Sequence, residues 1–315
     1  MDFSVIIPTY NGANKLPKVL DCLQEQIKIN NLIGEIIIID NNSTDSTVNV
    51  IKTYQENWQF SWPLKYYFEP QQGLAFARKR AIKEAKGKLI SFIDDDNLPQ
   101  NNWIYEAYEF SKKYPQVGAF SGKIVGDFEQ KTPDNFGVIS QFLAIRDHGQ
   151  KPCLFEPEKL RLPPGAGLVV RRQAWIESVP QKTYLIGRVG KYNIAGEDYE
   201  VLLYLHKKGW EIWYNPKMIL HHVIPKDRLS QDYLLPLAMG TGLATCQLRM
   251  ILAKNWQKPL ILVRTILGNF RRILLHLLKY KSEVNNNLIS AFELQFYWGS
   301  FLSPFYYLKT IFNPK

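Results

Sequence analysis

The first hundred residues alternate between continuous apolar runs and a stretch in which apolar residues recur every three or four positions. Residues 3–7 and 35–39 read as buried strands, each followed by polar loop and turn residues. Between them, a helical pattern is carried by Leu16, Val19, Leu20 and Leu23. A third apolar run, at 90–93, ends in three aspartates. Strand, helix and strand in this order predict an α/β fold with a doubly wound, mostly parallel sheet flanked by helices.

The aspartate triplet is the first candidate for chemistry. Asp94, Asp95 and Asp96 are consecutive, and like charges this close repel one another unless water or a cation neutralises them. At the end of a buried strand such a cluster suits a hard divalent cation that also binds substrate phosphates. A solvated acidic turn is the alternative. Tyr10 and Asp40 end neighbouring strands, and ligands bind at the carboxyl ends of such sheets, so all five side chains can meet one ligand.

Five short motifs then follow one another in a recognisable order. They are VIIPTYN at 5–11, IDNNSTD at 39–45, GLAFAR at 73–78, DDD at 94–96 and GED at 196–198. Together they resemble the family 2 glycosyltransferases, enzymes with a GT-A fold that use nucleotide-activated sugars. The resemblance implies a GT-A-like catalytic domain at about residues 1–235. For residues 236–315, the pattern of the sequence itself predicts a helical, basic and aromatic region, possible at a membrane.

The resemblance also implies a nucleotide site. Its expected members are Pro8, Thr9, Tyr10, Asp40, Arg78, Asp94 and Asp95. Asp40 would accept the imide N–H of uracil or thymine, which favours a UDP-sugar donor. Tyr10 offers a stacking face and Arg78 a positive fork. Lys79 stands where the family usually has asparagine. A packed aromatic and a solvated helix charge are the alternative interpretations of Tyr10 and Arg78.

Metal ligands are implied in the same way. Asp96 would hold Mn2+ or Mg2+ directly, with Asp94 on the ribose, on a metal-bound water or on the metal. His222 would be a further metal ligand or a diphosphate donor, and the adjacent His221 leaves that assignment open. The cation would act as an electrophile as negative charge grows on the departing nucleoside diphosphate.

The second half of the reaction needs a base and an acceptor site. Asp198 is the expected base, near the start of a helix predicted from Val201, Leu202 and Leu205; Glu197 and Glu200 are alternatives. The acceptor would contact Gly165, Ala166, Gly167 and Glu197. Transfer would invert the anomeric carbon and build a saccharide, a lipid-linked saccharide or a cell-envelope glycan.

Two other functions compete with this interpretation. A catalytically silent sugar-nucleotide or glycan binding protein could share the fold, but it would have no use for Asp198. A nucleotidyltransferase also uses paired aspartates and a metal, but the first strand is not followed by a glycine- and lysine-rich phosphate loop.

Charge and composition point to a membrane surface as a further partner. Of the net charge of +10, residues 246–315 carry +8, from ten Lys or Arg and two acidic residues. Residues 260–279 show an apolar helical stripe beside basic positions. Residues 294–308 are uncharged and hold seven aromatics, but we expect Pro304 to interrupt a helix there. These features predict interfacial helices on an anionic membrane, with a packed helical subdomain as the alternative. No nucleic-acid recognition motif accompanies the charge.

Location is expected from two further features. The three cysteines have no metal-ligand or disulfide spacing, and residue 3 already belongs to the first apolar run rather than to a signal sequence. We therefore expect a cytoplasmic protein at the inner face of the cell membrane.

Overall fold

A computed structural model describes residues 1–133, 136–188, 193–281, 284 and 287–312, and its strands in these ranges form one sheet. The strands are β1 Phe3–Thr9, β2 Gly34–Asp40, β3 Leu64–Phe68, β4 Leu89–Phe92, β5 Asn97–Pro99, β6 Val117–Phe128, β7 Cys153–Leu154, β8 Leu168–Arg171 and β9 Glu211–Ile224. Their order is β3-β2-β1-β4-β8-β6-β9-β5, and β7 also pairs with β9. β5, β7 and β8 run against the others, so the sheet is mixed but mostly parallel, as predicted.

Helices cover both faces of this sheet. They are α1 Leu16–Gln24, α2 Thr47–Glu56, α3 Leu74–Glu84, α4 Trp103–Lys113, α5 Gly137–Ser140, α6 Arg172–Ser178, α7 Glu197–Lys207, α8 Gln231–Leu252, α9 Lys258–Tyr280 and α10 Leu288–Phe312. The helices predicted from the stripe at 16–23 and from the pattern after Asp198 are confirmed as α1 and α7.

Continuous apolar strands form because both faces of the sheet are buried. Every residue of β1 and β2 is buried. Side chains alternate between faces, so Ile37 and Ile39 pack with α3 and α7, whereas Ile36 and Ile38 pack with α1 and α4.

Strand register brings the polar ends together. Thr9 of β1 pairs with Asp40 of β2, and Ile6 pairs with Phe92 of β4. The carboxyl ends of three strands therefore reach one edge of the sheet, where the ligand was expected.

α8 is part of the same core as the sheet and its flanking helices. Residues Leu243, Ala244 and Leu248 of α8 belong to the apolar cluster that includes α3 and α7. The expected boundary after residue 235 lies inside α8. Among the described helices, only α8 is long and apolar enough to cross a membrane, and 72% of its apolar window is buried within the protein.

Pro304 does not interrupt the last helix, contrary to the sequence interpretation. α10 runs through it for 25 residues. Proline lacks the N–H that would bond the carbonyl of Ser300, but the Ser303 hydroxyl donates to that carbonyl at 2.7 Å. The side chain replaces the missing backbone bond, so the helix continues.

α9 buries mainly polar residues and exposes its apolar ones, the reverse of most surface helices. Its buried positions are Thr265, Asn269, Ile273 and His276, three of them polar. Its outward positions Val263, Leu267, Phe270, Leu274 and Leu278 are 46–71% exposed. Surface helices of globular proteins normally bury the apolar stripe and expose the polar one.

Candidate active site

A cleft of about 550 Å³ opens at the carboxyl ends of β1 and β4. It brings together most residues singled out in the sequence: Pro8, Thr9, Tyr10, Arg78, Asp94, Asp95, Asp96, Gly165, Ala166, Glu197, Asp198 and His222. Asp40 and Gly167 do not line it. The site is therefore assembled from strand ends, the start of α7, the loop before β8 and the end of β9.

Asp95, the middle aspartate of the triplet, connects two segments at the bottom of the cleft. Asp95 Oδ2 accepts from the Thr9 hydroxyl at 2.7 Å, and Asp95 Oδ1 lies 3.3 Å from Lys15 Nζ. Burial raises the pKa of Asp95, with Lys15 opposing the shift. These bonds tie the end of β1 to the turn after β4.

The outer two aspartates have different surroundings. Burial raises the pKa of Asp94, and the nearby Arg78 charge opposes this. For Asp96, burial also favours the neutral form, but contacts with His222 and Arg228 outweigh it and hold the pKa well below its usual range. Of the three carboxylates, Asp96 is therefore the one whose surroundings favour the ionised form.

Arg228 bridges Asp96 and His222. Its Nη2 donates to Asp96 Oδ2 at 2.7 Å, and its Nη1 donates to His222 Nε2 at 3.0 Å. His222 Nδ1 faces the carbonyl oxygen of Leu143 at 2.9 Å. These partners assign the tautomer with the proton on Nδ1 and the Nε2 lone pair towards the cleft.

This pair fits the expected cation. Asp96 Oδ1 and His222 Nε2 lie 3.5 Å apart, and a carbonyl bond to the far nitrogen is how proteins orient a metal-ligating histidine. A guanidinium already lies between the two groups, so the position suits positive charge. Over the ranges described above, no group of three or more His, Cys, Asp or Glu side chains is arranged to hold a metal. Asp94 thus does not complete a ready-made trio; diphosphate oxygens and water would complete the shell.

His221 does not compete for this position. Its Nδ1 lies 3.2 Å from Asp127 Oδ1 on the other side of β9, whereas His222 is buried at the cleft. Alternation along the strand separates the two histidines and resolves the ambiguity in the sequence.

Arg78 is buried in the wall of the cleft beside Glu197. Its Nη1 lies 3.4 Å from Glu197 Oε1, and its buried Nε has no hydrogen-bond partner within the described part of the chain. A Cβ on Gly165 would lie 1.9 Å from Arg78 Nη2, so glycine is required for the arginine to take this position. Burial and the charge of Asp198 raise the pKa of Glu197, against the effect of Arg78.

Asp198 is held by backbone groups. The Gly165 N–H donates to its Oδ2 at 2.6 Å, and the Tyr199 N–H donates to its Oδ1 at 2.8 Å. Glu200 points away from the cleft and is fully buried, accepting from the N–H groups of Tyr184 and Leu185. The three acidic residues of this motif therefore occupy three different environments.

The two predicted residues outside the cleft lie directly behind it. Asp40 is fully buried; its Oδ1 accepts from the Ser43 N–H at 2.9 Å and its Oδ2 from the Tyr66 hydroxyl at 3.2 Å. Burial together with Asp40 raises the pKa of Tyr66 to about 12. Gly167 adopts φ +66°, and its N–H donates to the carbonyl of Phe92. It shapes the loop that carries Gly165.

The sequence interpretation did not select several polar side chains that line the cleft, among them Lys15, Arg188, Arg228 and Tyr233. Arg188 donates to the Tyr233 hydroxyl at 2.7 Å, and Arg228 bonds Asp96 as described. Arg228 follows His222 by six residues, but a single arginine in a basic stretch carries no distinctive signal.

Comparison with known proteins shows the family of the chain and shared folds. The sequence model described as glycosyl transferase family 2 matches residues 4–171. The poly(ribitol-phosphate) beta-glucosyltransferase of Bacillus spizizenii is 31% identical over 126 residues, which are 40% of this chain and 19% of that protein. Matches to four curated relatives span 19% to 52% of their lengths.

Two solved structures share the fold over nearly the whole chain. The mannosyltransferase PcManGT from Pyrobaculum calidifontis, in complex with GDP-Man and Mn2+, has a TM-score of 0.57 at 18% identity, covering 99% of this chain and 88% of that one. S. aureus TarS 1-349 in complex with UDP-GlcNAc has a TM-score of 0.56 at 14% identity, covering 98% and 92%. With the family match over more than half of its length, the chain belongs to glycosyl transferase family 2.

Proposed function

We propose that this protein transfers a sugar from a nucleoside diphosphate sugar to a hydroxyl group, with inversion at the anomeric carbon. The observation that carries the proposal is one cleft containing both an Asp96–His222 pair suited to a cation and a separate carboxylate, Asp198. The two solved relatives with bound UDP-GlcNAc and GDP-Man support the donor class.

The donor is held by groups from three elements. Arg78, with its unpartnered Nε, offers donors to the diphosphate, and exposed Tyr10 offers a ring face to the base. UDP is the favoured nucleotide because Asp40 stands behind the base position, although it would have to exchange its Tyr66 bond for the imide N–H.

Asp96 and His222 would hold Mn2+ or Mg2+, whose charge stabilises the nucleoside diphosphate as it leaves. A cation held there would displace Arg228 from Asp96, and the freed guanidinium would be available to the diphosphate. The cleft thus keeps a positive charge beside Asp96 before and after the donor arrives.

Asp198 acts as the base. Its two backbone bonds fix the carboxylate beside the loop at 165–167, where an acceptor hydroxyl would approach. Placement beside the hydroxyl supplies the catalytic effect, since a carboxylate is intrinsically a weak base. Glu197 is paired with Arg78, and Glu200 is buried away from the cleft, so Asp198 is the cleft carboxylate of the motif that is placed to accept the proton.

The acceptor class is a saccharide or lipid-linked saccharide of the cell envelope. A relative that acts on poly(ribitol-phosphate) supports an envelope polymer. The protein would work at the cytoplasmic face of the membrane. The outward apolar side of α9 supports this location, because the helix also carries Arg264, Arg271, Arg272 and Lys279 and no acidic residue.

A donor screen tests the proposal. Purified protein is incubated with UDP- and GDP-sugars and Mn2+ or Mg2+, and nucleoside diphosphate release is measured with and without acceptor glycans. Asp198→Asn should keep donor affinity within a few-fold and lose about 10²–10⁴-fold in transfer. Asp232→Asn, an exposed carboxylate at the start of α8, is the matched control and should behave as the parent.

The rival functions give different results. Pyrophosphate release from a nucleoside triphosphate would indicate a nucleotidyltransferase. Donor binding without turnover for any donor and acceptor would indicate a silent binding protein. Loss of donor affinity in Asp198→Asn would move that residue into the nucleotide site and refute its role as base.

A further inference from the structure

A second cavity, of about 520 Å³, is separate from the catalytic cleft and shares no lining residue with it. It is enclosed by the turn at 157–160, the end of α8 and the start of α9. The side chains that decide its chemistry are Lys159, Arg249, Leu252, Trp256, Leu260 and Arg264. None of the catalytic or donor-binding roles proposed above uses them, although Arg264 was counted among the basic residues of α9.

The cations in this cavity are incompletely neutralised. Lys159 pairs with Glu156, and the cavity's one carboxylate, Glu158, lies 2.6 Å from His206. Among the residues that the structure describes, no carboxylate lies within 4.0 Å of the guanidinium nitrogens of Arg249 or Arg264. Burial, followed by the charge of Arg272, lowers the pKa of Arg249. Two guanidinium groups are thus available to an anion, and their fork geometry suits phosphate.

The opposite wall is apolar and leads outwards. Leu252 lies inside the cavity, whereas Trp256 and Leu260 are largely exposed at its mouth. Leu260 begins the outward apolar side of α9 that continues through Val263 and Leu267. Tryptophan at such a boundary is typical of membrane–water interfaces, where its ring lies at headgroup level.

We infer that this cavity binds the phosphate of an anionic phospholipid, with Arg249 and Arg264 on the phosphate and the acyl chains along the outward side of α9. The inference rests on the membrane location proposed above. A soluble phosphate would leave Trp256 and Leu260 in water. A second copy of the protein would bring together helices that carry basic residues and no acidic ones.

The cavity also lies close to the catalytic cleft. Leu248 lines the cavity, and its Cδ1 would lie 3.4 Å from a Cβ built on Gly196, which lines the cleft. Lipid bound here would therefore hold the transfer site near the bilayer, where a lipid-linked acceptor is presented.

Vesicle sedimentation tests the inference with two matched variants. Arg249→Gln/Arg264→Gln removes the cavity charges; Arg271→Gln/Lys279→Gln removes two exposed charges from α9 outside the cavity. Each protein is mixed with phosphatidylcholine vesicles, with and without phosphatidylglycerol. Loss of two basic residues anywhere near an anionic surface should weaken binding about 30-fold. The cavity variant should lose about tenfold more, because it loses direct phosphate bonds.

Each remaining outcome has a separate meaning. Equal losses in the two variants would refute the phosphate site and leave membrane association intact. Failure of the parent to bind any vesicle would refute the membrane location and with it the lipid site, whatever the transfer assay shows. Competition by soluble glycerol phosphate at equal phosphate concentration would reassign the cavity to a small free anion. Circular dichroism melts and binding to phosphatidylcholine alone check that both variants are folded.

Discussion

Replacing Arg228 with glutamine should tighten the binding of Mn2+ to the free protein. In the structure the guanidinium lies between Asp96 and His222, the two groups proposed as cation ligands. A cation must therefore displace Arg228 before it can bind both of them. Glutamine removes the competing charge and leaves both ligands in place.

The size of the effect follows from the bonds that are lost. A hydrogen bond to a charged group contributes about 1.5–3 kcal/mol, and 1.4 kcal/mol corresponds to a factor of ten. Partly exposed Arg228 will recover some of this in water, so the lower end applies and Mn2+ should bind about tenfold more tightly. Donor binding in the presence of Mn2+ should change in the opposite direction, because the released guanidinium no longer meets the diphosphate.

Titration calorimetry measures both equilibria, with Mn2+ alone and then with UDP in saturating Mn2+. Lys226→Gln is the control, because it removes one exposed positive charge two residues away without touching Asp96. The reasoning is refuted if Arg228→Gln leaves Mn2+ affinity unchanged or weakens it. Equal tightening in the control would show a general charge effect rather than occupation of the site.

Two further changes test the cleft wall and the sheet. Gly165→Ala should weaken UDP binding about tenfold in calorimetry, because the new Cβ would lie 1.9 Å from Arg78 Nη2. The control Gly137→Ala, whose Cβ would meet no atom within 4 Å, should bind UDP as the parent does. Equal UDP affinities of the two variants would contradict the steric argument. Glu35→Gln should lower the free energy of unfolding by about 1–3 kcal/mol, since Glu35 accepts from Lys65 Nζ at 2.6 Å. Burial alone would raise the pKa of Glu35, but the hydrogen bonds from Lys65, Ser4 and the Lys86 N–H lower it. The stability that these bonds contribute is therefore present above the ordinary pKa of about 4.3 and is lost as the pH falls below it. Denaturation at pH 7 and pH 3 should show a gap between parent and variant that narrows in acid, and a gap independent of pH would contradict the ionic role.

Much of the cleft could be predicted because its residues stand at strand ends. A buried strand must be apolar and must end in polar residues, so Thr9, Asp40 and Asp94 mark three ends that parallel pairing brings to one edge. The sequence could not show which of them would face the ligand. Asp40 is turned into the sheet by Ser43 and Tyr66, and that orientation depends on tertiary neighbours.

Residues that act through long-range contacts could not be identified in the same way. Arg228 reaches Asp96 across 132 positions of sequence, and Gly165 meets Arg78 only after folding. Pro304 shows the same limitation at short range. Proline alone predicts a break, but a hydroxyl one residue earlier replaces the lost bond and the helix continues.

A hydrophobic stripe predicts a helix without showing what will cover it. Leu16, Val19, Leu20 and Leu23 of α1 and the outward residues of α9 both repeat with helical spacing. The first set is completely buried against the sheet, whereas the second faces outwards. Periodicity reports only that apolar residues share a face. The distinguishing signal lies on the other face, where α9 buries Thr265, Asn269 and His276 against the protein and so leaves its apolar side outward; an exposed apolar surface of this kind is typical of an interaction site.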